Sequence, residues 1–217
     1  MNIEQARFNM VEQQIRTWVV LDQDVLDLLF VVKREEFVPH ACRRLAFADG
    51  EIPLGHGAAM LAPKIEAQAL QALQVKPHEK VLEIGTGSGY MAALLAAHAE
   101  HVWSVEIDPA LAQLARANLA RAGADNVTVE NGDAAAGWPT RAPYDVIMVS
   151  GSVPVLAPEL LSQLRIGGRL FAIVGDAPAM AAQRVTCVGD GEYRTVKLFE
   201  TFAEPLRNAP CPPRFVF

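Results

Sequence analysis

The sequence predicts a doubly wound α/β fold with a mostly parallel sheet, on three observations. From residue 80 onward, short runs rich in Val, Ile and Leu alternate with stretches of helical periodicity. That is the pattern of parallel strands joined by crossover helices. One junction, VLEIGTGSGY at 81–90, runs from an apolar strand through three alternating glycines toward a helix. Finally, 51% of the 217 residues are apolar, which supports one sizeable core at this length.

The elements follow in order. Residues 4–16 carry Phe8, Val11 and Ile15, and residues 22–32 carry Val25, Leu28, Leu29 and Val32, both at helical spacing. Asp22 is placed to cap the second helix. Residues 46–63 read as irregular, with Asp49-Gly50 and two Gly/Pro-rich bends, and 64–75 reads as a helix. The α/β part then runs strand 80–85, helix 89–99, strand 101–107, helix 109–122 and strand 126–132. It continues with strand 144–151, helix 158–164 and strand 168–175. Two further strands, 183–189 and 195–202, come with no helix between them, so they are expected as an antiparallel edge hairpin. The chain reads as a single domain over 1–217. Residues 1–79 form an N-terminal helical cover with a substrate-side loop, 80–207 form the α/β core, and 208–217 form a proline-rich extended tail.

Composition excludes several classes. A net charge of −6 and a pI of about 5.4 argue against a broad nucleic-acid surface or a polybasic membrane anchor. Cys42, Cys187 and Cys211 are odd in number, far apart and without CxxC spacing, so no disulfide framework and no metal site is expected. The polar start, MNIEQARFNMVEQQIR, lacks an apolar signal segment. No apolar run approaches the ~18–20 residues of a membrane span. A cytoplasmic protein without membrane or nucleic-acid partners is expected, with a monomer as the favoured state.

The chemistry is concentrated at the glycine junction. Gly85, Gly87 and Gly89, with Thr86 and Ser88 between them, let the backbone turn tightly and approach a ligand. Gly87 to Ala92 also fits the dinucleotide fingerprint, so a nicotinamide cofactor is one reading. Three acids favour S-adenosylmethionine instead. Glu83 precedes the first glycine by two residues, where a carboxylate can meet an ammonium that NAD lacks. Glu106 ends the second strand of the α/β part, where it can accept both ribose hydroxyls. Asp133, in Asn131-Gly132-Asp133, follows the third strand and can receive an adenine amino group. All three fall at carboxyl ends of neighbouring strands, where open α/β sheets bind ligands. Taken singly, Glu106 also reads as a solvated loop acid and Asp133 as the cap of a helix at 134–137. The histidines have no ligand spacing, and Trp18, Trp103 and Trp138 read as packing residues.

At this point the chain resembles the protein-L-isoaspartate O-methyltransferases. The resemblance rests on MVEQQI (10–15), Asp24-Val25-Leu26, REEFVP (34–39), AFADGEIPLGHG (46–57), VLEIGTGSGY, YDVIMVSGSVP (144–154), GGRLFAIVG (167–175) and the late Pro205-Leu206. It spans roughly 8–206. It implies a Rossmann-like methyltransferase fold, S-adenosylmethionine as cofactor and an isoaspartyl protein or peptide as acceptor. It places the methionine and sulfonium end of the cofactor near Glu83 to Gly89, the ribose on Glu106 and the adenine near Asp133.

One segment departs from that family. After Gly57 the family usually carries Gln-Thr-Ile-Ser, then Pro after one more residue. Here Ala58, Ala59, Met60 and Leu61 stand in those places before Ala62 and Pro63. Ala59 replaces the threonine and Leu61 the active-site serine, so no catalytic residue is assigned. An ionised carboxylate acceptor needs no general base, so the missing hydroxyl is a positioning group and reduced or lost isoaspartyl turnover is expected. His56, Ser150 and Ser152 are the substrate-side candidates to substitute, with Lys64 a weaker one. The alternatives are a methyltransferase for a less polar acceptor and a non-catalytic binder of the cofactor.

Overall fold

The computed structural model describes residues 2–211. The end of the expected tail, 212–217, lies outside the described residues.

The chain opens with α1 (Ile3–Asn9), prolonged by a π turn over Met10–Ile15 and a 3-10 turn over Arg16–Trp18. Next comes α2 (Gln23–Val31), capped as expected by Asp22, whose Oδ1 accepts the Asp24 N–H at 3.0 Å. The stretch read as irregular holds a small antiparallel hairpin instead, β1 (Ile52–Gly55) and β2 (Ala58–Met60). His56 and Gly57, with φ of 54° and 71°, make its two-residue turn. Such turns require positive φ at both positions. His-Gly is a weaker signal for them than Asn-Gly, and strands of Pro, Ala and Gly carry little β propensity. Then α3 (Pro63–Leu73) leads into the α/β part.

That part runs β3 (Lys80–Ile84), α4 (Tyr90–Ala96), β4 (His101–Glu106), α5 (Pro109–Ala122), β5 (Val127–Asn131), β6 (Tyr144–Val153), α6 (Pro158–Leu161), β7 (Leu164–Asp176), β8 (Ala179–Gly189) and β9 (Glu192–Glu200). The sheet order is β5-β4-β3-β6-β7-β8-β9. The first five of these strands are parallel, while β8 and β9 are antiparallel. The mostly parallel sheet with antiparallel C-terminal edge strands is therefore present. α6 is shorter than expected, and no helix forms at 134–137.

The apolar runs of the central strands divide by alternation, as a sheet covered on both faces requires. Val81, Val102, Val146 and Met148 pack on one face with α3, α4, α5 and the N-terminal helices. Leu82, Ile84, Ile147 and Val149 pack on the other with Leu160 of α6 and the Trp138 segment. The cover is uneven. The first face takes nearly all the helices, and the second is closed by one short helix and irregular chain.

The N-terminal cover is tied on by buried charge. Arg34 is 1% exposed and pairs with Glu66 on α3, which is 3% exposed. Its Nη2 also donates to the Leu61 carbonyl at 2.7 Å. Arg7 of α1 pairs in the same way with Glu35. Removing one partner of such a pair leaves an uncompensated buried charge. Arg34→Leu is therefore expected to cost about 3–5 kcal/mol in urea unfolding at pH 8. The loss should be smaller at pH 5. There Glu66 takes up a proton in the variant, because its folded pKa lies above the ordinary value and its charged form is the costly one.

Candidate functional site

Register brings the three predicted acids together. β5, β4 and β3 are adjacent and parallel, so Glu83 near the end of β3, Glu106 at the end of β4 and Asp133 just after β5 share one sheet edge. Glu106 and Asp133 open on a cleft with about 710 Å³ of empty space, lined among others by Gly57, Ala59, Gly85 and Leu206, and Glu83 lies deeper. A narrower chamber of about 280 Å³ continues inward, walled by Leu54, Leu61, Glu66, Glu83, Ser88 and Met91. The two spaces share Ala59, Gly85, Gly87 and Ser150.

Backbone conformation explains the glycines. Gly85, Gly87 and Gly89 all have positive φ, at 89°, 53° and 84°. A Cβ on Gly87 would sit 3.1 Å from the Leu54 side chain of the hairpin, a tight contact that adds to the positive φ in favouring glycine there. Thr86 and Ser88 serve the turn itself. Thr86 Oγ1 lies 2.6 Å from Ser104 Oγ, and Ser88 Oγ accepts the Tyr90 N–H at 3.3 Å.

Each acid is held differently. Glu83 is fully buried. Its Oε2 accepts from Ser104 Oγ at 2.5 Å and its Oε1 from Ser150 Oγ at 2.9 Å. Burial pushes its carboxyl up to about 8, against the lowering effect of those two hydroxyls. Glu106 is not a solvated loop acid. It is 5% exposed, with Oε2 accepting the Gly87 N–H at 2.8 Å and Oε1 the Asp108 N–H at 3.0 Å. This fixes the carboxylate while leaving lone pairs free toward the cleft. Asp133 caps a turn rather than a helix, with Oδ1 accepting the Ala135 N–H at 3.0 Å.

The substrate-side candidates separate. Leu61 is on the chamber wall and 5% exposed. Ser150 reaches the cleft, but its hydroxyl is engaged by Glu83. Ser152 stands apart, fully buried with Oγ donating to the Ala203 carbonyl at 2.8 Å. His56 turns outward, with Nδ1 3.2 Å from Asp108 Oδ2 and its side chain half exposed. Lys64 is drawn away to Asp49, at 3.0 Å, over the Trp18 ring. Trp103 and Trp138 pack, as expected, against the second face. No cluster of metal-ligating side chains occurs among the described residues.

Several participants carried little signal in the sequence. Ser104 sits opposite Glu83 in the parallel register, and a serine inside an otherwise apolar strand is the one hint of it. Glu66 enters the chamber from α3. A C-terminal strap roofs the cleft. Ser152 N–H donates to Glu204 O at 2.9 Å, and Leu206 N–H returns to Ser152 O at 2.8 Å. Leu206 then lies over Gly85 and Gly151, where Cβ atoms would meet it at 3.2 and 2.8 Å. Arg207 donates to the His56 carbonyl and lies 3.5 Å from Asp108. Asn208 Nδ2 donates to Asp133 Oδ2 at 2.8 Å.

Comparison with known proteins gives a consistent result. The family model for protein-L-isoaspartate(D-aspartate) O-methyltransferase matches residues 5–206. A protein-L-isoaspartate O-methyltransferase 1 of Rhodopseudomonas palustris is 44% identical over 201 residues, covering 92% of this chain and 82% of that one. A Myxococcus xanthus protein-L-isoaspartate O-methyltransferase is 45% identical over 156 residues, covering 72% and 74%. In three dimensions, a Plasmodium falciparum structure described as a protein-L-isoaspartate O-methyltransferase in complex with S-adenosyl-L-homocysteine superposes with a TM-score of 0.79. Its identity is 20%, over 92% of this chain and 97% of that one; at that identity the likeness is one of fold.

The strap makes a local prediction. Arg207→Ala removes the tie between the strap and the hairpin turn, an exposed charged contact worth about 1 kcal/mol. Amide hydrogen exchange at 55–58 should then quicken by roughly fivefold, with the amides of β3, β4 and β6 unchanged.

Proposed function

The chain belongs to the protein-L-isoaspartate(D-aspartate) O-methyltransferase family, and from that membership we propose that it transfers methyl from S-adenosylmethionine to the α-carboxylate of isoaspartyl residues in proteins. The observation that carries this reading is the line of three carboxylates, Glu83, Glu106 and Asp133, at the ends of adjacent strands around one cleft.

The residues present fit that cofactor. The glycine turn has room where Cβ atoms would intrude. Glu83, withdrawn from water, is a strong partner for an ammonium. Glu106, pinned through two backbone N–H groups, faces the cleft as an acceptor for paired hydroxyls. Asp133, shared with Asn208, is positioned for an amino group. When bound, the cofactor supplies an electrophilic methyl on a sulfonium.

The chain's own contribution is to orient and to exclude water. An isoaspartyl carboxylate is ionised at neutral pH, so no side chain need remove a proton. Alignment of the acceptor supplies most of the acceleration. Here Leu61 presents an apolar wall where the family presents a hydroxyl, so the acceptor is held loosely and turnover is reduced. The same wall supports a second reading, an acceptor less polar than a free carboxylate.

No helix among the described residues is long and apolar enough to cross a membrane. Cys42, Cys187 and Cys211 are free thiols, which a reducing cytoplasm would maintain.

Two measurements test the reading. Labelled methyl transfer should give base-labile ester on an isoaspartyl peptide and none on its aspartyl isomer. Leu61→Ser should raise kcat/KM at least tenfold, since one missing positioning donor can cost 10²–10³ in rate. Absence of ester with both proteins, each binding S-adenosylhomocysteine, would overturn the acceptor assignment. The second concerns protons. Glu83 has a folded pKa above its ordinary value, so without ligand it is largely protonated at pH 7 and must ionise to meet an ammonium. S-adenosylhomocysteine affinity should therefore rise by up to about tenfold per pH unit below pH 8, with proton release in calorimetry. Glu83→Gln should flatten that dependence and weaken binding.

A further inference from the structure

The strap over the cofactor cleft ends in a turn, and one side chain of that turn reaches the wall of the cleft. Ala209 N–H donates to Leu206 O at 3.4 Å and closes the turn over Arg207 and Asn208. Asn208 holds its third position with φ of 60°. A β-turn with positive φ at that position takes Gly or Asn, and Gly would serve the backbone equally well. Asn adds an amide, and the amide is engaged. Its Nδ2 donates to Asp133 Oδ2 at 2.8 Å, across 75 residues of sequence. Against a carboxylate only the nitrogen of an amide can bond, so the direction of this contact follows from its partner.

Asp133 depends on that contact for its orientation. It follows β5 on a segment outside helix and strand, and it is exposed. Its other oxygen, Oδ1, is held by a near neighbour, the Ala135 N–H at 3.0 Å. A bond two residues away moves with its own turn. The strap does not, because it is fixed separately to β6. Ser152 N–H donates to Glu204 O at 2.9 Å and Leu206 N–H to Ser152 O at 2.8 Å. Donors from two independent segments therefore fix the plane of the carboxylate. With one bond made by each oxygen, each keeps a lone pair, and Asp133 lines the cleft.

Resting on the cofactor placement proposed above, which sets the adenine against Asp133, we infer that Asn208 is a positioning residue for adenine recognition. It acts through Asp133, holding the carboxylate so that its remaining lone pairs accept from the 6-amino group. A carboxylate oriented before the ligand arrives spares the ordering of one side chain, which is worth about two- to tenfold in affinity. Part of the preference for a 6-amino purine then resides in the C-terminal strap and not in the α/β core.

The test is calorimetric titration with S-adenosylhomocysteine and with its analogue lacking the 6-amino group. Asn208→Gly keeps the backbone of the turn and removes the amide at an exposed position, so the fold should be untouched. It should weaken S-adenosylhomocysteine about fivefold and leave the affinity of the analogue unchanged. In an Asp133→Ala background the same substitution should change neither ligand. A contact that merely holds the strap in place predicts something else, an equal loss for both ligands in both backgrounds. That result, or an unchanged affinity of Asn208→Gly for S-adenosylhomocysteine, overturns the proposal. The cofactor placement fails separately, if Asp133→Ala binds the two ligands in the same ratio as the wild type.

Discussion

A guanidinium buried at 1% exposure needs partners, and the N-terminal side of the cleft is arranged around those of Arg34, whose two Nη atoms are both bonded while Nε has none. Arg34 comes from the N-terminal cover, Glu66 from α3 and the Leu61 carbonyl from the chain leaving β2. The N-terminal cover is thereby fixed to within a hydrogen bond of the chain on both sides of the start of α3, about 30 residues later. The aromatic ring of Tyr90, 5.2 Å from the guanidinium, extends the tie to α4. Surface ion pairs contribute little, but a buried pair penalises every arrangement that separates its members. The substrate-side segment therefore keeps its frame although its side chains have become apolar.

The cofactor half obeys a different constraint. There the backbone, not a side-chain pair, sets the geometry. Three positive-φ glycines turn the chain within a few ångströms of the hairpin, and the Gly87 N–H fixes Glu106. The parallel register then carries Ser104 opposite Glu83. Each acid is oriented before any ligand arrives, which lowers the ordering cost of binding. The strap closes the same space from the far side, through Leu206 on the glycines and Asn208 on Asp133.

Much of this was legible in the sequence, for reasons that differ by element. β3 and β6 announce themselves because they are buried on both faces and so read as largely apolar runs, whereas the edge strand β5 is half exposed and is legible mainly through its β-branched residues. α5 is bounded by unambiguous signals, Asp108 and Pro109 at its start and Gly123 at its end. The three cleft acids were legible because strand ends at one sheet edge are adjacent whatever the helices between them do. The hairpin was missed because its turn and strands lack the usual residues. Ser152 looked equivalent to Ser150, two residues away. A register shift between Met148 and Ser152 breaks the alternation that would set both on one face, so one hydroxyl goes to Glu83 and the other to the Ala203 carbonyl, and the strap that accepts the second lies some 50 residues later in the chain. Glu66 and Arg207 act through partners 32 and 151 residues away, a separation no local pattern encodes.

The proposed acceptor end then turns on what the missing hydroxyl is worth. Its loss removes a neutral hydrogen bond, worth about 0.5–1.5 kcal/mol net and more where it is aligned with the reacting group. Leu61 also sets an apolar side chain where a carboxylate would otherwise keep its water, and an anion desolvated without a donor is penalised. Both effects reside in one side chain, on a frame that Arg34 holds in place through the Leu61 carbonyl. The backbone geometry that aligns an acceptor is therefore kept, while the hydrogen bond that completes the alignment is not.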